Sequence, residues 1–293
     1  MELKKEPFTI AVVGHPGAGK TTLAQALSLQ PETAVVDLPG VHLLSPSTDA
    51  GKEVYHFLLG LGGNILPRVI LVLLDARKVL DQLYFVGQVI DLRLPVVVGL
   101  THVEAARRGG AAVRHEWLAN QLFAPVVPIE HPEADIAALH ETLMETAEKT
   151  VPSRLNHWRP SMGLGEAYNH LDSEWSHRHL RMLHSGARLI EGLRLIGTPK
   201  ATEDYEGHPA HKSLKRVLDE ARQKMTDRKE NWTMAELGQR HQWAQQLAGY
   251  AVQEVTPDAR TRFYRWLATV PKAWGWGLIL LALATLAGIW LAG

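Results

Sequence analysis

No cysteine occurs in the 293 residues. Disulfides, thiolate metal sites and cysteine nucleophiles are excluded together, which fits a reducing compartment. A surplus of either charge is also missing, since 31 Lys+Arg balance 31 Asp+Glu. Without a basic surplus nothing argues for a nucleic acid partner, and without an acidic one nothing argues for a solvating tail. No secretory leader is expected either. Met1-Glu2-Leu3-Lys4-Lys5-Glu6 runs into an apolar stretch too short for one, cut off by a glycine-rich loop, so the first domain is expected to stay in the cytoplasm. The length leaves room for about two domains.

That glycine-rich loop is the organising feature. The apolar run Phe8-Thr9-Ile10-Ala11-Val12-Val13 leads into Gly14-His15-Pro16-Gly17-Ala18-Gly19-Lys20-Thr21-Thr22, which reads G-x-x-x-x-G-K-T between a buried strand and a helix starting near Lys20. Inward-pointing backbone N–H groups of such a loop cradle phosphate oxygens. Lys20 is expected to reach the β/γ-phosphates and Thr21 to place its hydroxyl on Mg²⁺, with the helix dipole adding to both. One helix and one strand later comes Thr33-Ala34-Val35-Val36-Asp37-Leu38-Pro39-Gly40. An Asp at such a strand end holds Mg²⁺ in P-loop nucleotidases, so Asp37 joins Thr21 as an expected metal ligand, and the Gly40 N–H is expected to sense the γ-phosphate.

From residue 8 to about residue 150 the chain resembles the N-terminal GTPase domain of FeoB, the bacterial ferrous iron transporter. The motifs that carry the likeness are the phosphate loop, Asp37-Leu38-Pro39-Gly40-Val41-His42-Leu43-Leu44-Ser45-Pro46, Glu53-Val54-Tyr55-His56-Phe57-Leu58, Leu94-Pro95-Val96-Val97-Val98-Gly99-Leu100 and Ala124-Pro125-Val126-Val127-Pro128. The resemblance implies GTP/GDP and Mg²⁺ as ligands and ferrous iron transport as the setting. Three departures qualify it. A regulatory GTPase inserts a switch loop with a Mg²⁺-binding Thr, and an extra strand, before its D-x-x-G strand; here a helix of about ten residues uses nearly all the chain before Thr33. The family's Asn-x-x-Asp for guanine is replaced by Thr101-His102-Val103-Glu104, in which Glu104 can still accept from the base while Thr101 supplies no amide. The following Ser-Ala is replaced by Ile129-Glu130-His131-Pro132. Weak guanine selectivity and slow or absent hydrolysis are the expectations. His42 is read as a loop side chain in the place of the family's aromatic residue rather than as a water-positioning group, and no catalytic residue is assigned.

Continuous apolar runs at residues 69–74 and 95–100 suit strands covered on both faces, and helical patterns fall between them at 49–61, 79–92 and 111–122. Alternation of this kind means βαβ units and an open parallel sheet. A last helix at 136–149 closes the region, Val151-Pro152-Ser153 reads as a hinge, and Gly60-Leu61-Gly62-Gly63-Asn64 as a helix end and turn. Residues 164–270 show no strand-like run and read as helices over 166–196, 213–229 and 233–254. Thr233 and Glu236 form an expected capping box, and Met234, Leu237, Trp243, Leu247 and Tyr250 an expected core face. His170, His177, His179 and His184 fall on one expected helix without ligand spacing, and no metal is assigned to them.

Residues 274–290 are almost wholly apolar, with Trp274 and Trp290 at the ends and Arg260, Arg262, Arg265 and Lys272 just before. About twenty such residues span a bilayer, and the basic flank places the preceding domains in the cytoplasm. The full expectation is an α/β P-loop GTPase-like domain with a mostly parallel sheet flanked by helices (1–150), a small helical domain (151–270) and one transmembrane helix (271–293). Such a chain would sit in the inner (plasma) membrane as a single-pass protein, beside a pore subunit or the remaining transporter helices. Two other readings stay open: a non-hydrolysing anchored scaffold, and an NTPase with altered base choice.

Overall fold

A computed structural model describes residues 7–149, 158–259 and 261–263. Its centre is a five-stranded sheet in the order β2-β1-β3-β4-β6, with every pairing parallel. The strands are β1 (Phe8–Gly14), β2 (Thr33–Asp37), β3 (Val69–Asp75), β4 (Val96–Thr101) and β6 (Val126–Pro128); β5 (Ala111–Val113) lies apart. Helices α1 (Lys20–Ser28), α2 (Asp49–Leu59), α3 (Val79–Asp91), α4 (Val103–Arg108) and α5 (His115–Leu122) lie in the crossovers, and α6 (Pro132–Glu148) follows the last strand of this sheet. In β3 every residue is buried, as a continuous apolar run requires of a strand covered on both sides. Val69, Leu71 and Leu73 pack with Leu23, Leu27, Leu139 and Leu143 of α1 and α6. Ile70, Val72 and Leu74 face the opposite layer, with Leu58 of α2 and Leu83 and Val86 of α3.

The helices that follow are α7 (Met162–Leu171), the single turn α8 (His177–His179), α9 (Ser185–Gly197), α10 (His211–Asp227) and α11 (Ala235–Ala251). Leu164, Trp175, Leu193, Leu214 and Leu218 form a core of their own. The seam against the α/β layers is close. Gly186 at the start of α9 lies against the Leu92 carbonyl, leaving no space for a Cβ. Fully buried Arg240 of α11 donates to Asp91 at the end of α3 (2.7 Å) and to Glu236 (3.0 Å). The same Asp91 oxygen accepts from Trp158 Nε1 at 2.8 Å, and the Trp158 ring lies under the Arg240 guanidinium.

Four expectations change. The helix expected over 111–122 begins only at His115; Ala111–Val113 instead pairs antiparallel with β7 (Val252–Glu254), so a strand also ends the helical region. Gly110, at φ 88°, supplies the turn a side chain would resist, and Val255 N donates to its carbonyl. The long helix over 166–196 breaks between α8 and α9, where the His184 side chain accepts from Ala187 N and caps α9. In α11, Met234, Leu237 and Tyr250 are exposed; Arg240, Ala244, Leu247, Ala248 and Ala251 form the buried face, because small residues let the helix approach α3 and α5. Thr233 does not cap that helix. Its hydroxyl donates to Asn231 Oδ1, and Met234 stands at the cap position.

The expected hinge at 151–153 and the apolar span at 274–290 lie outside the described residues. Among the described residues no helix is long and apolar enough to cross a membrane.

Candidate nucleotide site

The Gly14–Thr22 loop emerges at the carboxyl end of β1, where ligands sit in sheets of this type. Gly17 (φ 76°) and Gly19 (φ 90°) hold left-handed backbone with open space around them, so the loop curls back without side chains in its concavity. Lys20 is buried; its Nζ folds over the loop and donates to the His15 carbonyl at 3.1 Å. Burial lowers its pKa, against the pull of Asp37. An ammonium held over a ring of amides with one protein carbonyl as partner is placed to exchange that partner for a phosphate oxygen.

The D-L-P-G segment closes the loop from the side. Leu38 N donates to Val12 O and Val41 N to Gly14 O, pinning the segment along β1. A Cβ on Gly40 would sit 2.9 Å from Lys20 Nζ and 2.9 Å from Pro16 Cα, so only glycine lets the second motif lie on the first. Thr21 Oγ1 donates to Asp37 Oδ2 at 2.9 Å, with both side chains exposed. This is the oxygen pair that a hard cation beside phosphates requires, and the residues fit Mg²⁺. Among the described residues no group of three or more His, Cys, Asp or Glu side chains forms a metal cluster; His170 bonds Glu220 and His184 caps its helix.

His15 is buried behind the loop. Its Nδ1 lies 3.2 Å from His42 Nδ1, and its Nε2 has no partner among the described residues. Burial first, then His42, lowers its pKa to about 4. His42 is therefore engaged with a loop side chain rather than standing free.

The positions expected to read the base lie at the carboxyl ends of β4 and β6. Leu100 pairs with Pro128, and Ile129 N donates to Leu100 O at 2.8 Å, which sets Thr101 beside residues 129–131. Buried Thr101 Oγ1 lies 3.1 Å from His102 Nδ1. His102, in left-handed backbone at φ 57°, also approaches Asp75 Oδ2 at 3.4 Å. Burial raises the Asp75 pKa, but hydrogen bonds from Arg77 outweigh it and the net shift is downward. Glu104 is ion-paired with Arg107 at 3.3 Å and Arg108 at 3.8 Å. Asp135 Oδ2 accepts from both Glu130 N and His131 N at 2.9 Å. Sequence reading singled out neither Asp75 nor Asp135; the available signal for the second was an acid in the first turn of a helix opened by Pro132.

An all-parallel sheet whose first strand feeds a glycine loop, a buried lysine and a helix, with a second glycine laid over that lysine, defines the class: an α/β P-loop fold. Comparison with known proteins narrows it. The sequence model of the family described as ferrous iron transport protein B matches residues 28–143. The Fe(2+) transporter FeoB of Legionella pneumophila (strain Paris) is 26% identical over 219 residues, covering 66% of this chain and 29% of the transporter. Fe(2+) transporter FeoB of Salmonella typhimurium is 26% identical over 149 residues, 42% of this chain and 19% of its own length. The chain thus spans less than a third of the length of these relatives. Among solved structures, the cytosolic domain of L. pneumophila FeoB superposes with a TM-score of 0.65 at 19% identity, covering 84% of this chain and 100% of that one. mGMPPNP-bound NFeoB from S. thermophilus gives 0.64 at 16% identity, covering 85% and 99%. These likenesses establish a shared fold.

Proposed function

We propose that the chain is the nucleotide-binding module of a ferrous iron transport system, binding GTP and GDP with Mg²⁺ through Gly14–Thr22 and Asp37–Gly40. The contact that carries this reading is Thr21 Oγ1 to Asp37 Oδ2 beneath a loop whose lysine has one protein partner, because it assembles cation, amides and ammonium on one side of the sheet. Related folds are described as bound to GDP and to mGMPPNP, which supports guanine nucleotides as ligands. Thr101, His102 and Glu104 flank the base in this reading. Residues 1–150 hold the nucleotide, residues 151–270 form the helical domain, and residues 271–293 tether both to the membrane beside the iron pore.

Hydrolysis is slow or absent in this reading. The connection Leu29–Glu32 replaces the switch loop, and among the described residues no antiparallel strand lies beside β2. The only Thr between α1 and Asp37 is Thr33, which pairs with Phe8 at the far end of β1 and lies 2.9 Å from His140. A group to complete the Mg²⁺ shell and read the γ-phosphate is thereby missing. Calorimetry of the purified chain with GTP, GDP and ATP in Mg²⁺ tests the proposal. Nanomolar-to-micromolar binding lost in Lys20→Ala is the expected result; folded protein that releases no heat with any of them leaves only an anchored scaffold.

A further inference from the structure

We infer that Asp135 is a specificity-determining residue that switches off guanine recognition, so that this site takes purine nucleotides with little regard to the base. The inference rests on the nucleotide-binding reading above. A pocket selects guanine by offering N–H donors to O6 and a carboxylate to the N1–H and 2-amino edge; adenine presents an amino donor where guanine presents O6. Sites built on such hydrogen bonds reject the wrong partner by roughly ten-thousandfold, because buried groups are left unpaired. Here those groups are already paired within the protein.

The donors for O6 would be main-chain amides at the end of β6. Glu130 N and His131 N, the amides beside Thr101, both donate to Asp135 Oδ2 at 2.9 Å. A carboxylate accepting two amides forms charge-assisted bonds that a neutral carbonyl oxygen does not displace on equal terms. The acceptor side is weakened as well. Glu104 shares its carboxylate with Arg107 and Arg108, a solvent-exposed contact that contributes less than the Asp135 bonds. The Thr101 hydroxyl is engaged with His102 Nδ1 at 3.1 Å. Binding energy then comes from the phosphate end, which GTP and ATP share.

The test is calorimetric titration of the full chain, solubilised in detergent, with GTP and with ATP in Mg²⁺, for wild type, Asp135→Ala and Asp135→Asn. The expected wild-type Kd ratio is tenfold or less. Asp135→Ala frees the two amides and is expected to raise GTP preference at least tenfold, whereas Asp135→Asn, which replaces the charged acceptor with a neutral carbonyl that O6 can compete with, is expected to raise it by a smaller factor of at least threefold. Wild-type preference for GTP beyond tenfold, or an unchanged ratio in folded Asp135→Ala, overturns the inference while leaving nucleotide binding intact. If neither triphosphate binds, the nucleotide reading itself falls and this one with it. Should Asp135→Ala fail to fold, Asp135→Asn decides: a rise in GTP preference of at least threefold supports the inference, and a smaller change overturns it.

Discussion

The phosphate end of the sheet and the seam between α3 and α11 both gather charged side chains, but they use them in opposite ways. At the seam Arg240 and Asp91 are buried and saturated: each charge has a partner, and aromatic rings exclude water. At the phosphate end Lys20 has one protein carbonyl, Thr21 and Asp37 face solvent, and Gly17 and Gly19 leave space. Saturated charges hold a structure, and under-used ones wait for a ligand. Substitutions at the seam should therefore change stability without changing affinity, and those at the phosphate end the reverse.

The largest effect is expected at the seam. Arg240→Ala strands the Asp91 carboxylate in the interior and should cost about 3–5 kcal/mol in urea unfolding. Lys20→Ala comes next and breaks the pattern from the other side: nucleotide affinity should fall at least a hundredfold, about 2.7 kcal/mol, with the unfolding midpoint unchanged. A matching loss of stability would show that Lys20 also holds the fold. Gly186→Ala forces a methyl against the Leu92 carbonyl, so a destabilisation of about 1–3 kcal/mol is expected in a thermal melt, with GTP affinity preserved.

The smallest effect sharpens the comparison, since His15 lies between the two regions. The unfolded chain takes up a proton on this residue near pH 6.5 that the folded chain refuses until about pH 4. Its contribution to stability is thus complete above pH 6.5 and is lost as pH falls toward 4. Urea titrations across that range should show the slope in wild type and a shallower one in His15→Asn.

Local pattern made much of the α/β region legible. The runs at β1, β3 and β4 were visible because parallel strands covered on both faces must be apolar throughout, while half-buried β2 at the sheet edge was visible from its β-branched residues and the Asp-Leu-Pro-Gly that follows. The helical region was harder. Periodicity pointed to Trp243 and Leu247, which pack inward, and to Met234, Leu237 and Tyr250, which are exposed; the rest of the buried face is an arginine and three alanines, because Asp91 pairs with Arg240 from a helix remote in sequence. The β5–β7 pair was invisible for the same reason: neither short segment has a pattern until the other lies beside it. At the candidate site the phosphate motifs were legible as letters at fixed spacing, whereas Asp135 acquires meaning only from the two amides it accepts.

The order of residues alone determined a strand, a phosphate-shaped loop and a helix in succession, since those depend on neighbours in the chain and on glycine's freedom of φ. Tertiary structure decided which charges are spent and which are held in reserve. Whether Asp91, Asp135 or Lys20 already has a partner depends on groups brought together from distant parts of the chain, and hydrogen bonds over about 3 Å cannot be read from spacing.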